Sequence, residues 1–349
     1  MASLDVSRKW TILADLPVRE AAAELALYIG LLRGKAGLAQ EQPHIKETSA
    51  VLRNSAPRII IKAAAGNQDQ NGFSWQFAKD RIEICGDSPR GLWNGIFDFL
   101  AALGVKWPAP DQEELPRARS GSNNTSFNLK TNRSLYYPIS SAQERRRLFI
   151  DKKTGAKERE KLVKWAARNK YDALVFSLGE KFFWARARAK SRRGSRIYGA
   201  DRYALALEAG GCDISLLLPR RLFLFHRNLF RMESGKRTAN RHFCTTNPET
   251  ISRIKKQAGK LFNRALPGMA VPRIFHLLPD QGHENTWCAC PACRAFSPVE
   301  QHIIAVNSAA DVLESIDLRA LLSFFDFGIP AGEPTAGGIA ARKNMFPSK

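Results

Sequence analysis

The segment from Phe275 to Phe296 carries the side chains best suited to chemistry. An apolar run ends at Leu278, and Asp280 and Glu284 follow it closely. Where strands alternate with helices, residues just past the carboxyl end of a parallel strand line the active site. We therefore expect Asp280 to orient or stabilise a reacting group and Glu284 to supply acid or base. The alternative for Asp280 is a cap on the turn before the next segment.

A second carboxylate candidate lies earlier in the chain. Glu180 follows the apolar run of the segment YDALVFSLGE, so it also comes after a predicted strand. It is an alternative source of acid or base chemistry. A solvent-facing turn residue is the competing interpretation.

The same region contains a cluster of thiols. Three cysteines lie within six residues of one another: Cys288, Cys290 and Cys293. Three thiolates bind one tetrahedral zinc ion if a fourth ligand comes from elsewhere. Cys244 is the first candidate for that ligand, and His242 and His283 are the others. A closed structural zinc site, packed free thiols and a redox site all remain open.

The first 104 residues predict a small α/β layer. Helical spacing covers Arg19–Gly34, and Pro57–Ala63 is a short β-branched run. FSWQFA and RIEICG alternate around a turn at Lys79-Asp80, which predicts a hairpin. Ser88 stands where a helix N-cap belongs, with a proline after it. Residues 111–126 have the composition of a linker, so we expect domains at 1–118 and 126–349.

The rest of the chain alternates predicted strands and helices, which is typical of parallel sheets with crossover helices. At most five strands are visible: Asn132–Ser140, Tyr171–Glu180, Ile214–Phe225, Arg273–Asp280 and Arg319–Phe327. The predicted fold class is α/β, with a small α/β domain followed by a TIM-barrel-like domain that is incomplete.

The run RIEICGDSPRGLWNGIFDFLAALGVKWPAP resembles the N-terminal helper domain of β-hexosaminidases and bacterial α-glucuronidases. The matching positions are Gly86, Ser88, Arg90, Gly91, Leu103, Gly104, Val105, Trp107 and Pro110. The resemblance implies a domain that packs on a catalytic (β/α)₈ barrel and carries no chemistry itself.

The segment around Asp280 resembles the fourth-strand motif of family 20 β-hexosaminidases, His-x-Gly-Gly-Asp-Glu with a later tryptophan. His276, Asp280 and Trp287 fall on that motif. Gln281 stands where the family has its acid, and an amide cannot donate a proton as a carboxylic acid does. The resemblance therefore implies either that Glu284 or Glu180 takes this role, or that the site binds without hydrolysis.

The motif W-C-x-C-P-x-C-R, with NRHFCTTNPET before it, is similar to an uncharacterised bacterial family often grouped with glycoside hydrolases. That resemblance covers most of 132–327 and implies a carbohydrate-directed protein. A barrel would then place four residues for sugar binding: His226, Asn247, Trp184 and Trp287. Packed side chains and, for Asn247, a helix cap are the alternatives.

The charge is unevenly distributed. The net charge is +21, and between Lys181 and Arg241 there are 15 Lys and Arg against 4 Asp and Glu. The basic stretch Ala185–Arg196 gives non-specific attraction to anions and shows no nucleic-acid-binding motif. No apolar run reaches membrane-spanning length and no secretory signal opens the chain, so we expect a cytoplasmic protein that does not bind membranes.

The predicted function is that of a glycoside hydrolase-like protein acting on or binding an oligosaccharide. A non-catalytic carbohydrate-binding protein and a basic nucleic-acid-associated protein are the alternatives.

Overall fold

The computed structural model describes residues 2–49, 57–63, 71–78, 80–117, 126–129, 133–135, 145–193, 198–212, 214–279, 287–325, 335 and 338–348. The chain forms two compact units. The first unit comprises Met1–Arg146, Gly155–Asp172 and Tyr198–Leu205, and the second comprises Arg147–Thr154, Ala173–Ile197 and Ala206–Lys349.

The first unit is a mixed sheet with helices. Its strands are β1 (Ala2–Asp5), β2 (Thr11–Ala14), β3 (His44–Lys46), β4 (Arg58–Ala63), β5 (Phe73–Ala78), β6 (Arg81–Gly86), β7 (Lys106–Ala109), β8 (Gln112–Glu114), β9 (Ser126–Leu129) and β10 (Arg133–Leu135). Its helices are α1 (Arg19–Lys35), α2 (Pro89–Ala102) and α3 (Ala156–Arg168). Six strands pair in the order β10-β5-β6-β4-β2-β3, while β1 pairs with β9 and β7 with β8.

The predicted hairpin and helix start are confirmed. Strands β5 and β6 pair antiparallel over their whole length. Ser88 caps α2, with its hydroxyl accepting from the Gly91 N–H at 3.0 Å. A Cβ at Gly86 would lie 2.1 Å from the backbone nitrogen of Leu92, so glycine is required where the strand meets the helix. Local capping and close packing therefore fix this corner.

The first unit buries several polar side chains that form hydrogen bonds or ion pairs. The indole of Trp75 donates to Asp98 at 3.0 Å, and Lys170 forms an ion pair with the same carboxylate. Arg90 is buried and donates to the carbonyl of Ala167 at 3.0 Å. These bonds hold α3 in the first unit, although the chain reaches α3 only after entering the second sheet.

The second unit contains a six-stranded parallel sheet. Its strands are β11 (Arg147–Ile150), β12 (Ala173–Phe176), β13 (Ala206–Gly211), β16 (Ile274–Leu277), β17 (Leu321–Phe325) and β18 (Met345–Ser348), paired in that order. A small hairpin joins β14 (Met232–Glu233) and β15 (Lys236–Arg237). The helices are α4 (Lys181–Arg193), α5 (Pro248–Ala265) and α6 (Pro298–Ile316).

The parallel sheet is strongly curved. In a flat sheet its two edge strands, β11 and β18, would lie about 24 Å apart at about 4.8 Å per step. The guanidinium of Arg147 on β11 nevertheless lies 5.6 Å from the ring of Phe346 on β18. In the described residues these edge strands are not paired with each other, so the architecture is barrel-like without a closed barrel.

Two segments predicted as strands of the barrel-like domain are not part of its sheet. The described part of Asn132–Ser140 is β10, which pairs antiparallel with β5 in the first sheet. The segment Ile214–Phe225 forms two short 3₁₀ helices, Ile214–Leu217 and Arg220–Leu224, separated by a proline. Its apolar residues mimic a buried strand, but the proline cannot donate to a sheet ladder.

Three strands of the second sheet were not predicted, and the first of them is β11 (Arg147–Ile150). β13 has the sequence ALEAGG, which lacks β-branched residues and ends in two glycines at positive φ. β18 lies at the end of the chain. No helix in the described ranges is both long and apolar enough to cross a membrane.

Candidate functional site

Four polar side chains from four strands meet on the inner face of the curved sheet. Arg147 Nε lies 2.7 Å from Glu208 Oε2, and the same oxygen lies 2.8 Å from His276 Nε2. His276 Nδ1 lies 2.5 Å from the hydroxyl oxygen of Ser323. Glu208 and Arg147 are 1% and 7% exposed. This face of the sheet therefore carries a buried polar network.

Burial sets the protonation of His276. Desolvation lowers the pKa of this histidine, and the nearby Arg147 charge lowers it further, against the opposing effect of Glu208. The neutral ring fits the network with Nε2–H donating to Glu208 and Ser323 donating to Nδ1. Glu208 is thus occupied as an ion-pair partner, and acid or base chemistry at this face needs another carboxylate.

The two principal candidates, Asp280 and Glu284, lie outside the described residues. The chain is described to Pro279, two residues after β16 ends, and resumes at Trp287. Glu180 is described: it is partly buried in the connection between β12 and α4. Its carbonyl accepts from the Trp184 N–H at 3.1 Å, so its backbone begins the first turn of α4.

His226 does not follow a strand. It comes after the second 3₁₀ helix, and its Nδ1 lies 3.8 Å from Glu249 Oε1. Asn247 is the N-cap of α5, where its side-chain oxygen accepts from the N–H groups of Glu249 and Thr250. The helix cap, which was the alternative interpretation of Asn247, is confirmed, and the Asn247 oxygen is engaged in capping.

Both tryptophans expected to stack on a sugar are core residues here. Trp184 is fully buried, and its indole nitrogen donates to the carbonyl of Ser177 at 2.9 Å. Trp287 is 6% exposed and stacks on His242 with ring centroids 4.0 Å apart. Their ring faces therefore contact protein rather than solvent.

The predicted cysteine cluster does form. The sulfurs of Cys244, Cys288, Cys290 and Cys293 all lie within 4.8 Å of one another, and all four residues are buried. The fourth member is Cys244, which was the first of the three candidates for the fourth ligand. Cys288 and Cys293 interact with its sulfur by hydrogen bonding, which lowers the pKa of the Cys244 thiol. Such a set of soft ligands can hold a metal ion.

The basic stretch Ala185–Arg196 lies mostly on α4, and residues 194–197 are outside the described part. A nucleic-acid role stays a prediction. Retention on duplex DNA that weakens steeply with salt would favour it.

Sequence reasoning missed Arg147, Glu208 and Ser323. The signal for Glu208 was present: a single carboxylate stands inside the apolar run ALALEAGG. A lone charge in such a run indicates a buried, paired group. Its partner could not be inferred, because Arg147 is 61 residues away in sequence.

The first unit is a small mixed sheet with helices, and the second unit is a barrel-like parallel sheet. No family model and no curated protein matches the sequence.

The similar solved structures are family 20 enzymes. The β-N-acetylhexosaminidase of Streptomyces coelicolor A3(2) matches 99% of this chain and 76% of its own, with a TM-score of 0.52 and 12% identity. The Flavobacterium johnsoniae chitobiase matches 93% of this chain and 50% of its own, with a TM-score of 0.53 and 15% identity. The Streptomyces plicatus N-acetyl-β-hexosaminidase in complex with Thio-NAglucal matches 98% of this chain and 64% of its own, with a TM-score of 0.53 and 14% identity. This chain thus spans half to three quarters of their lengths.

Proposed function

We propose that this chain is a glycoside hydrolase-like protein that acts on or binds an oligosaccharide at the carboxyl ends of the strands in its parallel sheet. The observation that carries the proposal is the fold likeness to β-N-acetylhexosaminidases along 93–99% of the chain. Oligosaccharides that contain N-acetylglucosamine are the first ligands to test, because similar structures come from enzymes named for that chemistry.

In this proposal Asp280 orients or stabilises the reacting sugar, and Glu284 or Glu180 supplies acid or base. β12 and β16 are separated only by β13, so their ends lie about 10 Å apart across the sheet. Asp280 follows β16 by three residues, and Glu180 follows β12 by four. Side chains on such neighbouring loops can reach the separations of about 5–9.5 Å at which paired carboxylates hydrolyse glycosides.

The buried network supports the role of these loops. Glu208 contacts both Arg147 and His276, so its carboxylate is held in a fixed position within the sheet. Supporting residues that are locked by hydrogen bonds help to hold a site in its productive geometry. In this proposal the reacting carboxylates come from the loops that follow β12 and β16.

The cysteine cluster has a structural role in this proposal. Four protein thiolates fill a tetrahedral zinc site and leave no position for water or substrate. The sugar chemistry therefore belongs to the carboxylates alone.

A binding protein without hydrolytic activity is the second candidate. Gln281 is the observation that favours it, since it stands at the position where the resembling motif has its acid. Binding without turnover would select this candidate.

The test combines turnover and binding on the full chain. Aryl N-acetyl-β-glucosaminides report hydrolysis, and calorimetry with chitooligosaccharides reports binding. Asp280→Asn should abolish both while the melting temperature stays nearly unchanged. Glu314→Gln is the matched control, because Glu314 is exposed near the end of α6, and it should behave like the parent chain.

Two results would count against the proposal. Absence of binding and turnover across a panel of oligosaccharides would contradict a carbohydrate function. A stability loss of about 1 kcal/mol in Asp280→Asn with unchanged binding would instead make Asp280 a turn cap.

A further inference from the structure

The four sulfurs of the cysteine cluster are spaced for a metal ion. Cys244 Sγ lies 3.8 Å from Cys290 Sγ and 3.7 Å from Cys293 Sγ. Zn–S bonds of about 2.3 Å in a tetrahedron place neighbouring sulfurs about 3.8 Å apart. A disulfide would require about 2.05 Å between two of them. The sulfur positions therefore fit one shared central ion.

Hydrogen-bond donors surround the sulfurs. The backbone N–H of Met232 points to Cys288 Sγ at 3.3 Å, and Arg237 Nη1 lies 3.5 Å from the same sulfur. The hydroxyl of Thr246 lies 3.2 Å from Cys293 Sγ. A permanent cation beside a buried sulfur suits a thiolate far better than a neutral thiol.

The charge of a filled site explains the place of Arg237. Four thiolates and one Zn²⁺ carry a net charge of −2, and burying uncompensated charge is expensive. Arg237 also donates to the carbonyl of Phe230 at 2.6 Å, which fixes the guanidinium beside the cluster. The β14–β15 hairpin therefore supplies a positioned countercharge.

The cysteine loop is shaped by a group that is not a ligand. Gln301 on α6 is 3% exposed, and its side-chain oxygen accepts from the Cys288 N–H at 3.1 Å. Its side-chain nitrogen donates to the carbonyls of Cys288, Cys293 and Phe296 at 3.2–3.3 Å. This clamp holds the loop in a form that turns its sulfurs towards Cys244.

We infer that Cys244, Cys288, Cys290 and Cys293 bind one structural zinc ion, with Arg237 of the β14–β15 hairpin as its countercharge. The ion joins two segments, the residues before α5 and the residues before α6, and the hairpin packs against them through Met232 and Arg237. This inference is independent of the sugar chemistry, because it rests only on the thiols and their neighbours.

Metal analysis of the full chain, purified without added metal or chelator, tests the site. We expect one zinc per chain by elemental analysis. Cys290→Ser should lose the zinc, whereas Cys212→Ser, which changes an exposed cysteine outside the cluster, should keep it. Cobalt substitution should give the visible absorption of a tetrahedral thiolate site. Iron in place of zinc, a disulfide within the cluster, or four thiols that react freely in the native chain would overturn the inference.

A second variant covers the case in which cysteine variants do not fold. Arg237→Gln leaves all four ligands in place and removes only the countercharge. It should release zinc to a chromogenic chelator at least tenfold faster than the parent chain, and Arg237→Lys should restore part of the difference. Equal release rates for Arg237→Gln and the parent chain would refute the countercharge role.

Discussion

Arg147 and Glu208 form an ion pair inside the curved sheet, and we predict that Arg147→Met destabilises the second unit by about 3–5 kcal/mol. Their atoms are 2.7 Å apart and almost wholly buried. Charges about 4 Å apart attract by about 4 kcal/mol at an effective dielectric constant near 20, which agrees with this range. Methionine keeps most of the packing, so the loss comes from a buried carboxylate that has lost its arginine.

Amide hydrogen exchange of β13 and β16 at pH 7 measures this loss as a free energy of opening. The double variant Arg147→Met, Glu208→Met should recover most of the stability, because apolar replacements of buried ion pairs are often neutral. Arg342→Met is the matched control: Arg342 is 54% exposed in its pair with Asp311 and should cost less than about 1 kcal/mol. A loss below about 1 kcal/mol for Arg147→Met, or a double variant no better than the single one, would refute the reasoning.

Three further predictions concern the same unit. The pKa of His276 is lowered in the folded chain relative to the usual value of about 6.5, so the free energy of unfolding is complete above that pH and decreases below it. In urea titrations at a series of pH values, His276→Gln should reduce this decrease, and an unchanged decrease would contradict the prediction. Asn247→Ala should lower stability by about 1 kcal/mol in thermal melts through the lost cap of α5, while Asn247→Asp should not. A Cβ at Gly210 would lie 1.9 Å from the His276 carbonyl oxygen, so Gly210→Ala should disrupt β13–β16 exchange protection. Gly155→Ala, with open space around the new Cβ and a negative φ, should not.

The sequence predicted elements whose signals are local. The hairpin of β5 and β6 follows from alternation around a turn, and the start of α2 follows from Ser88 and the proline after it. The cysteine cluster also has a local signal, because three of its members lie within six residues. Cys244 was the first candidate for the fourth ligand because its strand–helix junction was expected at the same barrel end as that of Asp280, and the structure brings its sulfur to the other three.

Long-range pairing was the part that could not be predicted. β13 lacks β-branched residues, and its place between β12 and β16 is set by tertiary contacts. Ile214–Phe225 has the opposite pattern, since its apolar residues lie in 3₁₀ helices rather than in a strand: Ile214 and Leu217 are buried, whereas Leu224 and Phe225 are exposed. Glu208 and Arg147 meet only because the sheet curves, and a pattern read along the chain does not reveal that curvature.

The central claim is an oligosaccharide site at the carboxyl ends of the parallel strands. A crystal structure of the full chain with a bound chitooligosaccharide tests it most directly. We predict a sugar ring in contact with Asp280, which follows β16, and with the connection that carries Glu180 after β12. An ordered sugar bound only to the first unit, or no bound sugar at saturating concentration, would contradict the claim.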